Sequence, residues 1–192
     1  DTLELTVWQD KDPLELLKKY TWQTGRLPAL PDWAYGTIVG LQGGRDTVLR
    51  RIDRLQGAGC PVDAVWIQDW VGQRQTFFGS QLRWYWEADP DHYPDFPAFC
   101  KKLSDLGIAV LGYINPFITD NGPLFETARD RGYLVRDPAG APYRIEATGF
   151  DCYLFDLTNP AAFEWVKALI KDNMIAPGLS GWMADFGEWL PW

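Results

Sequence analysis

The stretch Ile108-Ala109-Val110-Leu111-Gly112-Tyr113-Ile114-Asn115-Pro116 is an unbroken apolar run that stops at a polar residue and a proline. A strand with one wet face alternates apolar and polar residues. An unbroken run is what a parallel strand covered on both faces requires. Working outward, Phe96 to Leu106 precedes it as a helix ended by Gly107. The same unit recurs along the chain. Tyr35 to Leu41, Val62 to Gln68 and Gly181 to Asp185 read as further strands, four in all with Ile108 to Ile114. Thr47 to Gly57, Pro123 to Arg131 and Pro160 to Met174 read as helices; glycine stops the first two, and Asn159 caps the third. Strand and helix in alternation imply parallel βαβ units.

Polar and aromatic residues cluster just past the strand ends, as Gln68-Asp69-Trp70, Asn115-Pro116-Phe117 and Asp185-Phe186-Gly187-Glu188. In a (β/α)₈ barrel that is the face where active sites sit. A doubly wound open sheet stays possible on the pattern alone. No glycine-rich phosphate loop is present, Gly43-Gly44 being too short to count. The fold class read here is α/β, a (β/α)₈ TIM barrel represented by its first four or so βα units. A closed barrel usually needs about 250 residues, so the 192 residues read as a fragment. Residues 1–30 form a lead-in segment and residues 31–192 the N-terminal part of the barrel. In the lead-in, Leu3 to Val7 reads as a short strand, followed by a helix with Asp12 as cap and Pro13 in its first turn. Tyr133 to Val135 and Pro142 to Ile145 read as a small hairpin around Asp137-Pro138-Ala139-Gly140.

Composition removes several functions. A net charge of −8 with scattered Lys and Arg speaks against nucleic acid as a partner. No apolar run is long enough to span a bilayer. His92 is the only histidine, which argues against a Ser-His-Asp triad or a histidine-rich metal site. Cys60, Cys100 and Cys152 form no CxxC pattern, so no zinc site or disulfide framework is implied. No metal and no cofactor are expected. The odd cysteine count and the lack of a signal-peptide pattern favour the cytoplasm. A homo-oligomer is compatible with the sequence. Eleven Trp either stack on sugar faces or fill a large core.

Gly181 to Glu188 places Asp185 at the end of an apolar strand with Glu188 three residues on. Retaining glycoside hydrolysis needs an ionised carboxylate to attack the anomeric carbon and a protonated carboxyl group to assist the leaving oxygen. Asp185 fits the first role by position, although a strand-end Asp also serves as a helix cap. Glu188 fits a role in orienting it or binding a hydroxyl. Gln68 suits several sugar oxygens at once, having both a donor and an acceptor. Asp69 suits a hydroxyl, or caps the next segment. Arg74, Arg83, Trp84, Tyr85 and Trp86 lie in a long insertion before the second barrel helix, where Arg beside Trp would suit an anionic group on a sugar. A surface Arg stacked on an exposed Trp would look the same.

From residue 20 onward these strings resemble glycoside hydrolase family 31. The resemblance runs through Thr24-Gly25-Arg26, Trp33-Ala34-Tyr35-Gly36, Asp63 to Gly72, Gly112 to Pro116, Asp156 to Pro160 and Gly181 to Pro191. Its nearest branch is the sulfoquinovosidases. The resemblance implies a retaining α-glycosidase with Asp185 as nucleophile. Common α-glucosidases of the family have Asp where this chain has Gln68; the sulfoquinovosidase branch has Gln. That branch reads a sulfonate with an Arg and a Trp, and Trp84 matches the Trp. The matching Arg position is Gln81 here, with Arg83 beside Trp84. On the resemblance, the substrate contacts are Gln68, Asp69, Trp70, Gln81, Arg83, Trp84, Asn115, Trp182 and Glu188. The general acid and a further Tyr lie beyond residue 192, so this segment alone is not expected to turn over substrate. The substrate expected is a carbohydrate α-glycoside, sulfonated or, as the alternative, a neutral glucoside or xyloside. A sugar-binding relative without catalysis is the remaining alternative.

Overall fold

The computed structural model describes residues 2–189. Contacts divide the chain into two compact units, residues 1–31 and 32–192. The first unit holds helix α1 (Pro13–Thr24). The Asp12 carboxylate accepts from the Leu14 amide at 2.9 Å, and Pro13 enters where no amide donor is needed. Leu3 to Val7 is not a strand, contrary to the alternating pattern. A strand needs a ladder partner for its backbone groups, and none pairs with this segment among the described residues. Its Leu3, Leu5 and Val7 stay exposed.

The second unit contains β1 (Ile38–Gly40), α2 (Arg45–Gly57), β2 (Ala64–Trp66), β3 (Gln73–Thr76) and β4 (Gly79–Leu82). It continues with α3 (Phe96–Asp105), β5 (Ala109–Ile114), β6 (Phe117–Thr119), α4 (Pro123–Asp130) and β7 (Arg144–Glu146). β8 (Asp151–Leu154), α5 (Pro160–Ile170) and β9 (Gly181–Ala184) complete it. The strands β1, β2, β5 and β9 form one parallel sheet in that order, with Val39 beside Val65, Val65 beside Val110 and Leu111 beside Gly181. Each new strand joins on the same side as the last. A doubly wound sheet reverses its strand order at a switch point; this sheet does not, and follows the one-way winding of a barrel.

The helices pack because their apolar residues recur on one face. In α3, Phe96, Phe99, Cys100 and Leu103 are buried against the strands, each large side chain contributing about 1.5–3 kcal/mol. Val48 and Ile52 of α2 do the same. Asp95 caps α3 through the Ala98 amide, and Asn159 caps α5 through the Ala161 amide. The helix read as Pro160 to Met174 is α-helical to Ile170 and finishes in a π-turn, Lys171–Ile175, that tucks Met174 into the core. Gly112 lies where a Cβ would come within 2.8 Å of Leu179 Cδ1, so the sheet meets the segment before β9 without a side chain between. Cys100 and Cys152 are buried, burial pushing each thiol up to about 12, which makes them packing groups rather than nucleophiles. No described helix is long and apolar enough to cross a membrane.

Four strands correspond to the repeating pattern, but nine are present among the described residues. The other five form two antiparallel sheets. β3 and β4 make a hairpin out of the insertion read only as a long loop. β6, β8 and β7 form the second sheet, in that order. The hairpin expected around residues 137–140 survives as a single bridge, Arg136 to Pro142, while β7 pairs with β8 instead. Residues 151–154 supply more ladder bonds than residues 133–135 do, so the longer partner wins the pairing. Both antiparallel sheets lie in excursions that follow the C-terminal ends of β2 and β5, the end where Asp185 follows β9.

Candidate active site

Asp185 follows β9 directly, and its amide donates to the Ile114 carbonyl at 2.9 Å, which extends the β5–β9 ladder by one residue. The strand therefore fixes the backbone from which the carboxylate projects. Tyr113, on the neighbouring strand, donates its hydroxyl to Asp185 Oδ2 at 2.9 Å. Burial raises the Tyr113 pKa far above its ordinary value, so this hydroxyl remains a donor at any working pH. A carboxylate held this way keeps one oxygen occupied and leaves the other for reaction.

The carboxylate faces a cavity of about 210 Å³ lined by Gln68, Gln81, Leu82, Trp84, Tyr113, Thr148, Phe150, Asp185, Phe186 and Trp189. Of the ten residues expected to act on substrate, four meet here: Asp185, Gln68, Gln81 and Trp84. Gln68 begins a 3₁₀ turn, Gln68–Val71, just past β2. Gln81 comes from β4, where its Oε1 accepts from Thr148 Oγ1 at 2.9 Å. Trp84 sits in an aromatic cluster, with ring centroids 5.7 Å from Phe117, 5.0 Å from Phe150 and 6.0 Å from Phe186. Such a wall offers flat apolar surface beside a polar floor, the combination that a pyranose ring presents in return.

Six expected contacts do not line this cavity, although Asn115 borders a second one that also reaches Asp185. Asp69 is fully buried, accepting from the Gly43 amide, His92 Nε2 and Tyr93 Oη at 2.6–2.7 Å. Its oxygens are committed inside the protein, so it does not meet a sugar. Trp70 is also fully buried; its Nε1 donates to the Tyr113 carbonyl at 2.8 Å and its ring stacks on Phe96. Asn115 is buried, its Oδ1 accepting from the Phe117 amide at 3.1 Å. Trp182 packs on the main core. Glu188 is exposed and does not line the cavity. Arg83 is held by Asp89 at 2.7 Å. That ion pair packs beneath Gly72, whose φ of +80° and position against the Asp89 carboxylate leave no room for a side chain.

The sequence reading missed Leu82, Tyr113, Thr148, Phe150, Phe186 and Trp189 as lining residues. Tyr113 carried a signal: it belongs to the strand next to the one that ends in Asp185. Thr148 and Phe150 carried none, because only the β7–β8 connection brings them back over the cavity. Gln42 was also missed; its Nε2 donates to Gln68 Oε1 at 2.5 Å. Arg74 lies across from Gln81 in the β3–β4 ladder and therefore on the same face of the hairpin. Its guanidinium rests 4.3 Å from the ring centroid of Phe150, with Nε and Nη2 buried and unpartnered among the described residues. Burial lowers its pKa from the ordinary value, yet an Arg stays cationic near neutrality.

Residues 27–191 match the family described as glycosyl hydrolases family 31 TIM-barrel domain. The chain is 41% identical to the sulfoquinovosidase of Escherichia coli (strain K12) over 98% of its own length and 29% of that protein's. It is 40% identical to the sulfoquinovosidase of Agrobacterium fabrum (strain C58), over 100% of this chain and 30% of the relative. Among solved structures, it superposes with a TM-score of 0.89 on a GH31 family sulfoquinovosidase from E. rectale in complex with an aza-sugar inhibitor. That match has 42% identity and covers 93% of this chain and 27% of the other. The chain thus spans about three-tenths of the length of the curated relatives it matches.

Proposed function

This chain belongs to glycosyl hydrolase family 31, and from that premise we propose that it carries the nucleophile side of a retaining α-glycosidase site acting on α-sulfoquinovosides. The observation that carries the reading is the Asp185 carboxylate at the end of β9, held by Tyr113 and opening on a cavity walled by Gln68, Gln81 and Trp84. Asp185 attacks the anomeric carbon while the glycosidic oxygen leaves. The leaving oxygen takes its proton from a second carboxyl group which, on the family pattern, a later strand carries. Water then cleaves the glycosyl–Asp185 ester. The likeness to sulfoquinovosidases supports the substrate class. Arg74 does not itself line the cavity, but it rests over Phe150, which does, and it is in no ion pair among the described residues; on this reading it is the cation that meets the sulfonate.

A second reading keeps the chemistry and changes the sugar to a neutral α-glucoside or α-xyloside. Its support is Gln81, which stands where the branch has Arg and is tied to Thr148, while the neighbouring Arg83 is spent on Asp89. The deciding test is hydrolysis of aryl α-sulfoquinovoside and aryl α-glucoside by a full-length enzyme that carries this segment. Preference for the sulfonated sugar is expected. Preference for glucose would replace the leading reading with the second one.

Tyr113→Phe in the same enzyme is expected to lower kcat about tenfold, since a hydrogen bond to a charged group contributes about 1.5–3 kcal/mol, part of which water restores. KM should change little, because the hydroxyl touches the nucleophile rather than the sugar. An unchanged kcat would show that Tyr113 does not position Asp185 during the reaction.

A further inference from the structure

We propose that the buried carboxylate of Asp69 is a positioning group that sets which end of the Gln68 amide faces the cavity. A carboxylate only accepts, whereas each glutamine amide has one accepting and one donating end. Gln73 Nε2 lies 3.4 Å from Asp69 Oδ2 and 3.2 Å from Gln42 Oε1, so its two N–H bonds serve both. Ser80 Oγ donates to Gln73 Oε1 at 2.7 Å; a hydroxyl also accepts, so the sense of this amide is set by the carboxylate and not by the serine. With its oxygen engaged, Gln42 turns its Nε2 to Gln68 Oε1 at 2.5 Å. Gln68 is then left with its own Nε2 as the group free to meet a ligand.

The order of the chain is forced from its buried end. Asp69 Oδ2 also accepts from the Gly43 amide at 2.7 Å, which pins the backbone next to Gln42. Reversing any one amide alone would set two acceptors or two donors face to face, so the order that begins at the buried carboxylate is the favoured one. The consequence is a rule for the substrate, and it rests on the function proposed above. The sugar group that meets Gln68 has to accept a hydrogen bond. An Asp at position 68, as the resemblance gives for common α-glucosidases, would impose the opposite requirement.

The experiment is a double-mutant cycle on a full-length enzyme that carries this segment, with Asp185→Asn in the background to stop turnover. The dissociation constant of 4-nitrophenyl α-sulfoquinovoside is measured by calorimetry, and thermal unfolding checks that each variant folds. Asp69→Asn brings an N–H into the carboxylate's place. Gln73→Met removes the amide that links Asp69 to Gln42 while leaving the carboxylate itself and the residues that line the cavity unchanged, and it answers the question if Asp69→Asn fails to fold. Each is expected to weaken binding about tenfold when Gln68 is present, the worth of roughly one oriented hydrogen bond. Each is expected to have almost no effect in a Gln68→Ala enzyme, because the relay has no other outlet. Equal weakening in both backgrounds, or none in either, overturns the relay and leaves the proposed function standing. Intact binding with no hydrolysis by the parent enzyme overturns the function and leaves the relay standing. No measurable binding to the Asp185→Asn enzyme overturns both.

Discussion

Asp185→Asn, introduced into a full-length enzyme carrying this segment, is expected to lower kcat by on the order of 10⁴–10⁶-fold, the range seen when a covalent nucleophile is removed. Asn keeps the size of Asp, and its Oδ1 still accepts from Tyr113 Oη, now at 2.9 Å from Asp185 Oδ2. The backbone bond from residue 185 to the Ile114 carbonyl does not involve the side chain. What changes is the negative charge and the lone pair that forms the ester. Sugar affinity should therefore stay near its original level, because Gln68, Trp84 and Phe150 are untouched. Steady-state kinetics with an aryl α-glycoside, alongside calorimetric binding, separates the two quantities. A kcat within tenfold of the parent would mean that another group attacks the anomeric carbon. Hydrolysis absent from the parent, with binding present, would make the protein a sugar-binding relative.

The largest expected loss of stability comes from Trp70→Ala. The indole is fully buried, stacks on Phe96 at 5.9 Å between centroids and donates to the Tyr113 carbonyl at 2.8 Å. Removing a core aromatic costs about 3–5 kcal/mol through lost transfer energy and the cavity left behind. Trp70→Phe retains most of the apolar contact and leaves that carbonyl unpaired, which costs about 1–3 kcal/mol. Urea unfolding followed by far-ultraviolet circular dichroism measures both. The order Ala worse than Phe, with both below the parent, is expected. A cost under about 1 kcal/mol for Trp70→Ala would remove this residue from the core. Trp70 also links the core to chemistry, because its partner carbonyl belongs to Tyr113, the residue that holds Asp185.

The repeating part of the fold was legible because its signals are local. Ala64 and Val65 are apolar on successive positions and both fully buried, as a strand covered on both faces requires. Asp12, Asn159 and Gly107 mark ends through backbone chemistry confined to a few residues. The antiparallel excursions were not legible. β3 and β4 are polar and short, and β8 wins its place only by pairing with both β6 and β7. Leu3 to Val7 had the pattern of a strand and no partner, so pattern alone misled.

The site divides in the same way. Asp185 could be placed from the sequence because a strand end defines both its position and its direction. Asp69 and Trp70 adjoin Gln68 in the chain and looked equally available, yet a tight turn sends the three side chains to different surroundings. Gln68 reaches the cavity, whereas Asp69 and Trp70 go to the interior. Arg83 stands next to Trp84 and spends its charge on Asp89, while Arg74, seven residues before Gln81, lies directly across from it.

The sequence by itself determined the alternation of strands and helices, most of the helix ends and the strand end that carries Asp185, since each depends on neighbours within one turn or one strand; the order of the strands, which separates a barrel from a doubly wound sheet, came only with the structure. Tertiary structure alone decided which polar side chains face the cavity and which are consumed inside the protein. Hydrogen-bond partners such as Gln42 and Gln68, 26 residues apart, exist only once the strands that carry them lie side by side.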